Sequence, residues 1–152
     1  MYLKKISIRN FRRLKDVAID FEEKETVFVG PNNSGKTSAT AAIRSFLGSR
    51  DFKIHDLSLC SLTAINTYDP AAPTPHPSIQ LDLWFHINPD AIEFGTVFAL
   101  ATDFSGDFTE IGIRCSLEVE DSAELWIKYD QAFPVQDDGQ RKRKLVDFLA
   151  LE

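Results

Sequence analysis

Little in this chain suits metal, disulfide or membrane chemistry. Its two cysteines, Cys60 and Cys115, lie far apart with no C-x-x-C or Cys/His spacing, so neither a zinc site nor a disulfide framework is indicated, and buried or idle thiols are expected. No apolar run approaches the roughly 18 residues of a membrane span. Met1-Tyr2-Leu3-Lys4-Lys5 leads into a strand pattern and not into the apolar block of a secretory leader, so the expected location is the cytoplasm. Basic excess is missing too: 17 Lys and Arg stand against 23 Asp and Glu, a net charge of −6. Broad electrostatic capture of nucleic acid rests on many phosphate contacts, so any DNA contact must come from a local patch or from outside these residues. His55 and His76 have no partner at metal or catalytic spacing, and no internal repeat occurs. With 43% hydrophobic and 26% charged residues in 152, the chain can still form one ordinary domain with a proper core.

Against these absences stands Gly30-Pro31-Asn32-Asn33-Ser34-Gly35-Lys36-Thr37, which fits G-x-x-x-x-G-K-[ST] without a mismatch. The pattern is a phosphate cradle: a turn of small residues aims backbone N–H groups at an anion, and the positive end of the following helix faces the same charge. Lys36 is expected to reach the β- and γ-phosphates of ATP and the Thr37 hydroxyl to hold Mg²⁺. The expected nucleotide-binding set is Asn32, Asn33, Ser34, Gly35, Lys36, Thr37 and Ser38, with Thr37 as the metal ligand. The flanks agree with the motif. Thr26-Val27-Phe28-Val29 reads as a strand covered on both faces, while Ala39, Ala42, Ile43, Phe46 and Leu47 recur at the spacing of one helix face with Gly48 as the stop.

Elsewhere the pattern alternates between strand and loop. Ile6 and Ile8, then Val17, Ile19 and Phe21, predict two strands joined by the basic connection Phe11 to Asp16, and Glu22 to Glu25 a solvated turn. Four of the seven prolines fall between Asp69 and Pro77, so a loop at about 66–78 is expected, with a short helix over Leu57 to Ile65 before it. Ile79, Leu81, Leu83, Phe85 and Ile87 give one face of a strand and Gln80, Asp82, Trp84 and His86 the other. A packed helix is expected over Ala91 to Ala101. Ile111 to Val119 and then Leu125, Ile127 and Tyr129 read as an antiparallel hairpin, with Trp84 and Trp126 on the face away from the aliphatic stripe. Arg141-Lys142-Arg143-Lys144 reads as the solvated start of a helix carrying Leu145, Val146, Phe148 and Leu149.

Ile6-Ser7-Ile8-Arg9-Asn10-Phe11-Arg12 ahead of an acidic-ended strand, followed by Val29 to Thr37, resembles the N-terminus of RecF/SMC-like ATPases, and within them most resembles the OLD (overcoming lysogenization defect) family of ATP-dependent endonucleases. The match covers residues 1 to about 48. The resemblance implies an α/β fold: residues 1–152 as the incomplete N-terminal lobe of a P-loop ATPase domain of ABC type, with a mixed or antiparallel sheet around the P-loop helix. It places Arg12 near the bound nucleotide, against the plain alternative that Arg12 and Arg13 are merely exposed on a turn. For the whole protein it implies a homodimer formed through the ATPase domain, DNA as partner, and an attached Toprim nuclease regulated by ATP.

Turnover by such a site needs a carboxylate at the end of a second apolar strand and a group that orients water. Val97 to Asp103 and Phe148 to Glu152 are the nearest approximations, and both read better as helices; no L-S-G-G-Q-like stretch occurs. The expectation is therefore a module that binds ATP without turning it over. Two readings of the whole protein stay open, an OLD-type nuclease and a RecF/SMC-like repair or chromosome-organising ATPase without nuclease activity. A phosphotransferase is disfavoured, because nucleotide kinases usually begin almost directly with the loop-bearing strand.

Overall fold

The computed structural model describes residues 1–69, 71–72, 74–88, 108–136 and 140–151. Strands β1 (Tyr2–Phe11), β2 (Leu14–Asp20), β3 (Ile79–His86) and β4 (Glu110–Leu117) form an antiparallel sheet in the order β2-β1-β3-β4. Register explains why one face is apolar. Ile6 lies opposite Ile19 and Leu83, Ile8 opposite Val17 and Leu81, and these rows continue to Ile113 and Cys115 on β4. Helix α1 (Lys36–Arg44) covers this face through Ala39 and Ala42, with Ile43 packed beside them. The core thus sits directly behind the phosphate-loop motif.

The opposite face carries charge. Buried Asp82 on β3 takes Arg9 Nη1 at 3.0 Å and Arg114 Nε at 2.7 Å, so one carboxylate ties three strands. Arg114 is the main reason the Asp82 carboxyl titrates below the usual carboxylate range. Trp84, 40% exposed, lies over Gly112, where an added Cβ would stand 2.8 Å from the indole.

A second core gathers around helices α2 (Leu59–Asn66), α3 (Ser122–Ala132) and α4 (Leu145–Leu149), through Ile65, Tyr129, Leu145 and Phe148. Leu57 packs against both cores. The Tyr129 hydroxyl donates to the Arg143 carbonyl at 2.7 Å, and Arg141 lies 5.1 Å from the Tyr129 ring and pairs with Asp130. Lys142, Arg143 and Lys144 are exposed as a solvated basic stretch should be, while Arg141 is half-buried over Trp126 and Tyr129.

Several expectations hold. The two N-terminal strands, the short helix before the proline-rich stretch, the strand from Ile79 and the terminal helix are all present, although the basic connection shrinks to Arg12-Arg13 because Phe11 and Leu14 pair across it. Two fail. Leu125 to Tyr129 is helical, not a strand: the Asp121 carboxylate accepts from the amides of Ala123 and Glu124, and Leu125, Trp126, Tyr129 and Phe133 share an apolar face that leaves Ile127 55% exposed. Trp126 accordingly packs between Tyr68 and Tyr129 and lies on no sheet face. Thr26 to Val29 pairs with none of the four strands, and Val27 and Val29 are 69% and 88% exposed. A strand buried on both faces needs a neighbour along each edge and cover above and below; among the described residues no strand pairs with this segment, and Phe28 meets Phe21 edge-on while both valines stay exposed. The helix expected over Ala91 to Ala101 and the Val97 to Asp103 run lie outside the described residues.

Candidate nucleotide-binding cleft

The loop between Thr26 to Val29 and α1 is shaped by two left-handed residues. Asn33 has φ 75° and Gly35 has φ 95°. An added Cβ at Gly35 would also stand 2.9 Å from Leu14 Cδ2, so both conformation and space require glycine. Gly35 serves as the N-cap of α1 and brings no side-chain acceptor to the helix start, where its carbonyl takes the Ala39 amide at 2.9 Å. Donors of the first turn are left for an outside acceptor, and the helix dipole adds positive potential there.

Lys36 completes the turn. Its ammonium donates to the carbonyls of Gly30 at 2.6 Å and Pro31 at 2.9 Å and to Ser34 Oγ at 3.2 Å. These are weak neutral acceptors for a full charge, and phosphate oxygens would replace them with charge-assisted bonds. Thr40 Oγ1 donates to the carbonyls of Lys36 and Thr37 and fastens the first turn.

The sequence-derived site residues converge. Asn32, Asn33, Ser34, Gly35, Lys36, Thr37 and Ser38 line one open cleft of about 370 Å³ together with Arg12 and Arg13. Arg13 Nη1 donates to Asn33 Oδ1, so the tip of the β1–β2 hairpin is bonded to the loop. Arg13, expected only as an exposed turn residue, thus joins the site; its signal in the sequence is the Arg-Arg pair itself at a two-residue turn. Among the described residues three cations and no carboxylate line the cleft. The Thr37 hydroxyl has no partner among the described residues and suits a cation ligand held beside phosphates.

A family model for the AAA ATPase domain matches residues 1–145. Curated relatives match a shorter stretch. The chromosome partition protein Smc of Halothermothrix orenii is 43% identical over 54 residues, 35% of this chain and 5% of that protein. The DNA replication and repair protein RecF of Psychromonas ingrahamii is 45% identical over 56 residues, 36% of this chain and 15% of that protein. RecF of Lactobacillus acidophilus is 42% identical over 43 residues, 28% of this chain and 12% of that protein. The match thus spans a small part of each relative's length. A chain solved in work on ATP-driven dimerization and DNA-stimulated activation of SMC ATPases superposes with a TM-score of 0.47 at 21% identity, covering 78% of this chain and 64% of that one. That superposition is too loose to add weight. An uncapped helix start, a lysine aimed into its own glycine-bounded turn and a family match over nearly the whole sequence lead to one assignment: this chain belongs to the AAA ATPase domain family.

Proposed function

We propose that the cleft binds the phosphates of ATP and serves as the nucleotide-binding lobe of a RecF/SMC-like ATPase. The observation that carries this is the union of Arg12, Arg13 and Lys36 with the free amides of the α1 start around one cleft lined by no acid among the described residues. Lys36 exchanges its loop carbonyls for phosphate oxygens. Thr37 would hold Mg²⁺, which when bound offsets phosphate charge. Among the described residues no carboxylate lines the cleft, so this reading extends to binding, and turnover would draw on groups beyond those lining it.

For the whole protein, the RecF and Smc relatives favour a DNA-repair or chromosome-partition ATPase, and the resemblance of residues 1 to about 48 adds a homodimer formed through the ATPase domain. Coupling to a Toprim nuclease in the OLD manner is the second reading, supported by the resemblance of residues 1 to about 48. A ligand that binds only the folded chain raises its melting temperature. Millimolar ATP with Mg²⁺ is expected to raise it by a few degrees, and adenosine at the same concentration to leave it unchanged; equal shifts with both would remove the phosphate cleft as the cause.

A further inference from the structure

Arg12 sits in a conformation that only its surroundings can hold. At the first central position of a two-residue turn it has φ 52°, a left-handed value that hairpins usually give to glycine. Its backbone N–H donates to the Asp56 carbonyl at 2.7 Å and its side-chain Nε to Asp56 Oδ1 at 2.8 Å, so one residue secures both its main chain and its guanidinium. Strain of this kind persists where neighbours over-determine it, and it gathers at functional sites. The Arg12 guanidinium also lies 5.0 Å from the ring of fully buried Phe11.

Asp56 is itself fixed. It is 6% exposed, ends a short 3₁₀ turn (Ile54–Asp56), and accepts the Lys53 amide on Oδ2 at 2.9 Å. The next residues anchor the turn to the sheet, with Ser58 N donating to the Asn10 carbonyl at 2.9 Å and Leu57 bridging to Phe11. Arg12 spends only Nε on this contact. Its two terminal nitrogens have no partner among the described residues, while Arg12 lines the cleft with Lys36 and Thr37. A guanidinium held by one edge keeps its forked end for oxyanions.

We infer that Asp56 is a positioning residue for nucleotide binding: it locks Arg12 so that the terminal nitrogens meet the phosphates without first losing rotamer freedom. This rests on the cleft being a nucleotide site. The test is calorimetric titration of the chain with ATP and Mg²⁺ for the parent, Lys36→Ala, Arg12→Ala, Arg12→Lys, Asp56→Asn and the Arg12→Ala/Asp56→Asn double variant, with circular dichroism to verify folding. Asp56→Asn and Arg12→Ala are each expected to weaken ATP about five- to tenfold, and the double variant no more than Arg12→Ala alone. Arg12→Lys, which leaves Asp56 and its turn intact, is expected to show the same loss, so the result does not depend on how Asp56 variants fold. Parent-like affinity in folded Asp56→Asn, in Arg12→Ala or in Arg12→Lys, or losses that add in the double variant, would overturn the positioning role while a weakened Lys36→Ala keeps the nucleotide reading intact. Parent-like binding by Lys36→Ala would remove both.

Discussion

Asp82 is the residue whose charge the fold depends on most visibly. It is 5% exposed, yet it stays ionised because Arg114 and Arg9 bond its oxygens from the neighbouring strands. Asp82→Asn keeps the shape and removes the charge, taking from Arg114 its carboxylate partner and leaving Arg9 only Asp16 at 3.5 Å, and is expected to cost about 2 kcal/mol in urea unfolding at neutral pH. The sign of the pH dependence follows from the lowered carboxyl. Protons bind the unfolded chain first, so this stabilisation is complete above the unfolded carboxylate value of about 3.9 and is lost as pH falls through the lower folded value. Stability of the parent measured from pH 6 downward is expected to lose this contribution, and Asp82→Asn to show a correspondingly smaller loss. A residue-scale reading of sequence could place Asp82 on the polar face of its strand but could not pair it, since Arg9 and Arg114 lie far from it in the chain and meet it only through register.

Elements separate into those whose pattern had one physical reading and those that had two. Ile79 to Phe85 alternates over a full strand with Gln80, Asp82 and the half-exposed Trp84 between the aliphatic places, and the strand forms. Leu125, Ile127 and Tyr129 alternate equally well, but Trp126 and Phe133 also fall on a helical face, and Asp121 tips the balance by capping two amides at 2.8 and 3.0 Å. Asp121→Ala is therefore expected to destabilise the chain by about 1 kcal/mol and to lower helical ellipticity, whereas Ser122→Ala should do neither. An unchanged melting midpoint in Asp121→Ala would mean that packing alone sets α3. The Thr26 to Val29 segment shows the converse. Its composition asks for burial on both sides, and intrinsic preference cannot form a strand where no neighbour pairs with it. The phosphate loop was legible because its chemistry is local: eight consecutive residues carry the turn, the lysine and the helix start. The Arg12–Asp56 contact was not, because it joins a hairpin tip to a turn 44 residues later.

At the scale of the molecule, a sheet-and-helix core and a helical core meet at Leu57, and the candidate cleft opens where the first core, the β1–β2 hairpin tip and α1 come together. Behind the cleft, buried Leu14 stands against Gly35 and buried Ala39 follows in α1, while the cleft rim consists of exposed loop, the arrangement expected of a site that must admit a solvated anion. The central claim is that this rim recognises nucleotide phosphates through Lys36. Calorimetric titration of the chain with ATP and Mg²⁺, parent beside Lys36→Ala, tests it most directly. Loss of a charge-assisted contact to phosphate is expected to weaken binding at least tenfold, with the fold unchanged by circular dichroism. Equal heats and equal affinities for the two proteins would contradict it.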